Sequence, residues 1–200
     1  MGSILFTLSQ IKLLNTDSDW KLITEVFRDR MLKEYDQEKV IKGITSLSLA
    51  NVTGHDDFWI DTFEIIEKRI KAEDLDAYLK MNLFWSMGKN VGMLHPHILE
   101  SIVGKLLPTL VRDIELAMQQ HKEQVMVSFI PNLVWSCRIL GIKDEALWRV
   151  IDRMIFRIYK YFNLDMLQSV VPSYYEVGRV SSEQDKIFEA LEKRFRDIKA

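Results

Sequence analysis

The chain has 200 residues, of which 48% are hydrophobic and 28% are charged, and its formal net charge at pH 7 is −2. This length corresponds to one domain or two small ones, and the apolar content is sufficient for a continuous core. The weak negative charge gives no overall electrostatic support for nucleic-acid binding. Glycine and proline number only 8 and 4, which favours long helices and excludes collagen-like, linker-like and hairpin-rich chains.

Apolar residues recur at helical spacing along the whole chain, and no stretch alternates apolar and polar residues for long enough to predict a strand. We expect the helices to form antiparallel pairs joined by short turns. In chain order, the predicted helices cover about residues 3–14, 20–31, 36–49, 58–71, 73–91, 97–118, 122–140, 144–159, 163–180 and 186–199.

Capping and breaking signals punctuate these helices. Acidic residues open two of them at Asp36 and Asp144, where they suit the positive end of the helix dipole. Gly141 is the predicted C-cap of the helix that ends just before Asp144. Pro108 and Pro131 each fall within a predicted helix, and we expect both to break or bend it because proline clashes with the preceding turn.

A five-residue sequence recurs in the middle of the chain. Residues 82–86 read Asn-Leu-Phe-Trp-Ser, and residues 132–136 read Asn-Leu-Val-Trp-Ser. Weaker echoes lie on both sides, so that the predicted structural anchors of the series are Leu8, Leu47, Trp85, Trp135 and Tyr175. Self-similarity of this kind is typical of helical repeat arrays, in which a large residue fills the gap between layers. We therefore expect every anchor to be buried, and the extra residues of the longest spacing to lie near Pro108.

The sequence predicts an all-α fold: a short right-handed α-solenoid of about four to five antiparallel helical hairpins. The whole chain, 1–200, is predicted to be a single helical-repeat domain. Its repeat units are predicted to cover about residues 1–35, 36–72, 73–118, 119–162 and 163–200. HEAT-type repeats, at about 40–47 residues per unit, are the nearest alternative helical family.

Catalytic chemistry has little support in the sequence. His95 and His97 are only two potential zinc ligands, and zinc takes three or four at defined spacing. Asp56 and Asp57 are predicted to cap a helix rather than bind a cation. Cys137 is predicted to be a buried small apolar residue rather than a nucleophile. We therefore expect no catalytic residue, no metal, no cofactor and no small-molecule substrate.

Localisation signals are equally sparse. A single cysteine cannot form an internal disulfide, which fits a reducing compartment. No apolar run approaches the roughly 18 residues of a membrane span, so none is predicted. The N-terminal stretch has the wrong residues for myristoylation and makes a poor cleavable transit peptide.

One arrangement of positive charge suggests a binding surface. Arg149, Arg153, Arg157 and Lys160 are spaced so that they share one face of one helix. Flanking helices contribute two further candidates, Arg138 and Arg179. We call these six residues the arginine stripe. Such a stripe can follow the phosphates of RNA, contact a protein partner or remain a solvated face, and the sequence leaves these alternatives open.

The repeated Asn-Leu-Phe/Val-Trp-Ser sequence, followed by a polar turn and a helix such as residues 98–103, resembles the repeats of organellar RNA-binding proteins. These are the octotricopeptide and heptatricopeptide repeats and the repeat region of FAST-kinase-domain proteins. The resemblance covers roughly residues 40–200, although the chain lacks the basic character of those regions and has no RAP-like C-terminal sequence. It implies action on transcripts in mitochondria or chloroplasts, or a place in a divergent mitochondrial ribosome.

Together these features predict a non-enzymatic interaction subunit of a larger mitochondrial assembly, in contact with neighbouring proteins and possibly with RNA. By resemblance the assembly is a ribonucleoprotein such as the mitochondrial ribosome, and the compartment is the mitochondrial matrix, with the cytoplasm as the alternative. Two other functions remain open. The chain could be a stand-alone organellar RNA-binding repeat protein, or a protein-only scaffold of a respiratory or ATP-synthase complex.

Overall fold

The computed structural model describes residues 17–52, 55–177 and 182–199, and within these ranges the chain is helical and contains no strand. This confirms the all-α class. The α-helices are α1 (Asp17–Val26), α2 (Gln37–Leu49), α3 (Asp56–Arg69), α4 (Ala77–Lys89), α5 (Pro96–Gln119), α6 (Glu123–Met126), α7 (Ile130–Ile139), α8 (Glu145–Ile158), α9 (Leu164–Val177) and α10 (Ser182–Lys199). The predicted helix 3–14, the anchor Leu8 and Arg179 of the arginine stripe lie outside the described residues.

Shorter helical turns connect several of these helices. A six-residue π-helix, Phe27–Leu32, extends α1, and 3₁₀ turns cover Ala72–Asp74, Val91–Met93 and Tyr159–Tyr161. The π-helix places Phe27 against α2, where Gly43 is essential for the close approach. A Cβ atom on Gly43 would overlap the ring edge of Phe27 and lie 2.9 Å from its Cζ.

The local signals in the sequence account for most helix ends. The carboxylates of Asp36 and Asp144 accept hydrogen bonds from the backbone N–H groups of Lys39 and Leu147, as N-caps do. Gly141 has a φ of +67°, and the backbone N–H of the residue after it donates to the carbonyl of Cys137. These are features of a glycine-terminated helix end, so the predicted capping roles are confirmed.

A break or a bend is predicted at Pro108, and the break is wrong, because α5 continues as one helix of 24 residues with Pro108 inside it. Proline removes the hydrogen bond to the carbonyl of Gly104, but both residues lie on the exposed side of the helix, where water can satisfy that carbonyl. The extra residues of the longest repeat spacing are therefore accommodated by helix length, since α3 and α8 have only 14 residues each. Pro131 does interrupt its predicted helix, and it lies in the first turn of α7.

The chain divides into two compact units, Met1–Leu106 and Leu107–Ala200. In the first unit, α2 packs against α4. The hydroxyl oxygens of Thr45 and Ser86 lie 3.2 Å apart, and the carboxamide of Asn90 donates to the hydroxyl of Ser48 at 3.0 Å. Because both contacts advance along both helices together, α2 and α4 run in the same direction.

In the second unit, α7 packs against α9, and α8 packs against α10. The guanidinium of Arg153 donates to Glu115 at the end of α5, and that of Arg157 donates to the carbonyl of Met118 one turn later. These paired contacts show that α8 follows the direction of α5. Each joins residues 38 or 39 positions apart.

Offsets of 32 to 42 residues recur in most of the other distant side-chain hydrogen bonds within each unit, whereas the bond between Tyr174 and Asp152 spans 22. Lys105 reaches Glu67 across 38 residues, and Arg138 reaches Glu176 across 38. Gln124 reaches Tyr161 across 37.

Four buried serines, one each in α2, α4, α7 and α9, share one pattern of burial and hydrogen bonding. Ser46, Ser86, Ser136 and Ser173 are all buried, and each hydroxyl donates to the backbone carbonyl four residues earlier at 2.6–2.9 Å. A hydroxyl bonded within its own helix leaves no polar group unsatisfied, so a small side chain can face the neighbouring helix without penalty.

The serines correct the predicted anchors. Among the predicted anchors, Leu47 is fully buried, whereas Trp85 and Trp135 are partly exposed and Tyr175 is 80% exposed. The expectation of burial is therefore wrong for Tyr175 and only partly met by the tryptophans. The physical reason is register: the small serine next to each tryptophan faces the packed helix, which turns the large residue toward the edge of the contact.

Candidate interaction surface

The described members of the arginine stripe are engaged within the chain. Arg153 forms an ion pair of 2.7 Å with Glu115, Arg157 one of 2.6 Å with Glu123, and Arg138 one of 2.8 Å with Glu176. Arg149 lies 3.6 Å from Glu145 on its own helix, and Lys160 lies 5.1 Å from the ring centre of Tyr161.

These ion pairs bear on whether the arginine stripe is a binding surface. Three of the arginines pair with carboxylates that lie 34 or 38 residues away in sequence, so their charge is partly compensated within the chain. A phosphate that approached these arginines would compete with the carboxylates. The stripe is thus better described as a set of ion pairs that connect helices than as an open basic surface.

A groove of about 540 Å³ lies between the end of α5, α8 and α10 in the second unit. Its apolar lining includes the buried Met118 and Ile187 and the exposed ring of Phe156. Its carboxylates are engaged internally, because Asp152 accepts a 2.7 Å hydrogen bond from the hydroxyl of Tyr174 and Glu115 pairs with Arg153. The described lining therefore offers no nucleophile with an adjacent free base.

Apart from Trp20 of α1, which is partly exposed, the tryptophans of the chain fall into two pairs with different environments. Trp59 and Trp148, at the start of α3 and α8, are buried, and their indole N–H groups donate to the carbonyls of Val52 and Ile142 at 3.3 and 2.9 Å. This is the expected behaviour of a structural tryptophan, whose N–H needs a partner when it is buried.

Trp85 and Trp135 behave differently. Each is partly exposed, and neither indole N–H bonds to any residue in the described ranges. The residues around them have the same burial pattern: two buried residues before the tryptophan and two after it. The repeated five-residue sequence therefore has the same local placement in α4 and in α7.

An asparagine accompanies each of these tryptophans. Asn82 and Asn132 lie three residues earlier, which puts the carboxamide and the indole on the same face of their helix. Asn82 is partly exposed and Asn132 exposed, and neither carboxamide hydrogen-bonds to the part of the chain that the structure describes. We call these residues the Asn–Trp pairs. Sequence reasoning found the motif but assigned it to packing, because exposure cannot be read from identity alone.

The remaining sequence candidates take structural places. Cys137 is fully buried, and burial raises the pKa of its thiol well above the usual range. The rings of His95 and His97 are exposed and stack 5.8 Å apart. Within the described ranges, no three His, Cys, Asp or Glu side chains gather as the ligands of a metal ion would.

Among the helices of the described residues, none combines the length and apolar character needed to cross a membrane. Comparison of the chain with protein-family models, with curated proteins and with solved structures finds no match.

Proposed function

We propose that the chain is a non-enzymatic interaction subunit of a larger mitochondrial assembly, a ribonucleoprotein such as the mitochondrial ribosome. The fold that the repeats predict for such a subunit is a short right-handed α-solenoid of four to five antiparallel hairpins. The work of such a subunit is adhesion: a rigid helical surface holds a neighbour in place, and no bond is made or broken.

The Asn–Trp pairs are the observation that supports this proposal. Packing uses the leucines and serines of the repeated sequence, which are fully buried, whereas the carboxamides and indole N–H groups have no hydrogen-bond partner among the described residues. Tryptophan is the residue that contributes most often to binding energy at interfaces, because it covers a large area and still carries a polar group. Each unit therefore carries one such pair, and each pair is suited to binding a neighbour.

The arginine stripe supports the same proposal indirectly. Its ion pairs connect layers one repeat apart, which is how a rigid repeat surface is held in shape. The Asn–Trp pairs, rather than the stripe, are therefore the proposed contact with the assembly.

Isolation of the assembly tests the proposal. The full chain, carrying an affinity tag, would be expressed in its own cells and sedimented from purified mitochondria. We expect it to migrate with a large particle, and we expect Trp85→Ala with Trp135→Ala to shift it toward the free fraction. Phe156→Ala, which removes an exposed aromatic ring from α8, is the matched control and should leave the distribution unchanged. A chain found outside mitochondria, or as a free monomer, would refute the proposal.

A further inference from the structure

We infer that a second copy of the chain covers an apolar groove between α9 and α10, so that two copies pair through their α10 helices about a two-fold axis. The groove has a volume of about 430 Å³, and its apolar lining consists of Leu167, Val171 and Pro172 from α9 and Leu191 and Phe195 from α10. We call it the α9–α10 groove. The inference goes beyond the proposed function, because it concerns neither the Asn–Trp pairs nor the particle that they bind.

The α9–α10 groove presents apolar surface that the second unit covers only partly. Leu167 and Leu191 are buried beneath it, whereas Phe195 is partly exposed and Pro172 is exposed. Along α10, Phe188 is also partly exposed and lies seven residues before Phe195, on the same face of the helix. The same helix therefore forms one wall of the groove and carries a row of rings that can cover the groove of a second copy. Removal of this apolar surface from water favours pairing.

Two charged residues lie along the α10 side of the groove. Glu192 and Arg196 both line it, both are exposed, and neither forms an ion pair with another residue in the described ranges. They are one helical turn apart, so their side chains share one flank of α10. Beside its apolar lining the groove therefore offers a carboxylate and a guanidinium, and an occupant that fits it presents the opposite charges in matching order.

A second copy of α10 presents those charges. In an antiparallel pair of identical helices about a two-fold axis, positions at equal distances from the midpoint face each other. With position 194 at the midpoint, Glu192 of each copy lies opposite Arg196 of the other, and the apolar rows meet beside them. The rim of the groove is thus complementary to itself, whereas a neighbour of unrelated sequence would have to carry the same charge order independently. This complementarity selects a second copy as the occupant.

Sedimentation equilibrium of the purified full chain, at concentrations from about 1 μM to about 1 mM, provides the test. We expect an equilibrium between monomer and dimer that does not continue to larger species, because a two-fold contact is closed. Glu192→Arg and Arg196→Glu should each weaken pairing about tenfold or more, since like charges then face each other. An equal mixture of these two variants should pair as tightly as the unmodified chain, because opposite charges face each other again in the mixed dimer.

Two further variants of α10 complete the experiment. Lys193→Glu reverses an exposed charge next to Glu192 but outside the groove lining, and should leave the dissociation constant of the dimer unchanged. Phe195→Asp places a carboxylate in the covered groove and should abolish the dimer, with circular dichroism showing that the chain remains helical.

Several results would overturn the inference. These are a chain that stays monomeric at the highest concentration, association that continues beyond the dimer, and a dimer that survives either charge reversal in the groove. A mixture of the two charge variants that pairs no better than each variant alone would also overturn it, because the opposed charges would then make no contact.

Discussion

The hydroxyl of Tyr174 donates a 2.7 Å hydrogen bond to Oδ1 of Asp152, and both residues are buried in the second unit. The bond connects α9 to α8, and the tyrosine ring packs edge-on against Trp148 at 5.4 Å. A buried carboxylate needs such partners, because its transfer from water is costly unless hydrogen bonds compensate.

Tyr174→Phe should therefore destabilise the fold while keeping the ring contacts. We expect a loss of about 1–3 kcal/mol in the free energy of unfolding, as for a buried acceptor that loses its donor. Tyr175→Phe makes the same chemical change at the next residue, whose side chain is 80% exposed, and should change stability by less than about 0.5 kcal/mol. Urea unfolding followed by circular dichroism measures both, and equal effects would show that the buried hydrogen bond contributes nothing.

The two glycines Gly43 and Gly104 should respond to alanine with opposite signs. A Cβ on Gly43 overlaps the buried ring of Phe27, which is confined by the ring of Phe58 at 5.7 Å. We expect Gly43→Ala to cost about 1–3 kcal/mol through overpacking. Gly104 is exposed within α5, and a Cβ there meets nothing within 4 Å. Gly104→Ala should stabilise by about 0.5–1 kcal/mol, because alanine loses less backbone entropy in a helix.

Thermal unfolding of the two variants beside the unmodified chain gives the comparison. A shift of the same sign in both would mean that helix propensity, rather than the approach of α2 to the π-helix, sets the outcome at Gly43. The π-helix itself illustrates what the sequence conceals. Residues 20–31 have the apolar spacing of an ordinary α-helix, so the local pattern does not reveal the π-helix. The related residue is Gly43 in α2, which has no side chain and so leaves room for the ring of Phe27.

The all-α fold and the caps were predictable because their causes are local. Helical periodicity, the acidic caps at Asp36 and Asp144 and the terminal glycine at Gly141 each act within a few residues. The burial of the anchors was less predictable, because Tyr175 has the size of a core residue yet is 80% exposed. The serines that are buried in α2, α4, α7 and α9 have small polar side chains, which give little signal of burial in the sequence.

The partners of the arginine stripe could not be predicted from local spacing. Glu115 and Glu123 precede Arg153 and Arg157 by 38 and 34 residues, and only the fold brings them together. The same holds for the Asn–Trp pairs. The motif was evident in the sequence, but whether its tryptophans are buried depends on which side of α4 and α7 meets a neighbouring helix.

Removal of Arg157 should cost more stability than removal of Arg149. Arg157 donates to the carbonyl of Met118 at 3.0 Å as well as to Glu123, whose side chain is only 16% exposed. Arg149 faces Glu145 on its own helix, and both side chains are more than half exposed. We expect about 1 kcal/mol for Arg157→Ala and less than about 0.5 kcal/mol for Arg149→Ala. Urea unfolding at moderate salt tests this order, and a larger effect of Arg149→Ala would contradict the assignment of Arg157 as a tie between layers.

Stability should fall in mild acid because two glutamates are more acidic in the folded chain. The hydroxyl of Ser101 and then the ammonium of Lys105 lower the pKa of Glu67. The pKa of the Glu123 carboxyl is lowered first by its own backbone N–H and then by the guanidinium of Arg157. A depressed folded-state pKa means that the stabilisation is fully present above the ordinary glutamate value of about 4.3 and is lost as pH falls through the folded value.

Urea unfolding at a series of pH values between neutrality and about 3 measures this dependence. Glu67→Gln combined with Glu123→Gln should lower stability at neutral pH and flatten the acid limb, since the variant has fewer protons to bind. Asp36, whose pKa is lowered by Lys39, remains in the variant and should preserve part of the slope. An acid limb that is identical with and without the two glutamates would disprove their contribution.

Cys137 should react with thiol reagents only when the second unit unfolds. Its side chain is fully buried in α7, and burial raises the pKa of the thiol well above the usual range, so almost no thiolate forms at neutral pH. We expect a chromogenic disulfide reagent to label the folded chain far more slowly than the chain in denaturant. Because reaction requires opening, the labelling rate should rise with urea in step with loss of the circular dichroism signal. Tyr174→Phe, which weakens the same unit, should accelerate labelling in the absence of urea. Rapid labelling of the unmodified folded chain would show that α7 opens far more readily than its packing against α9 implies.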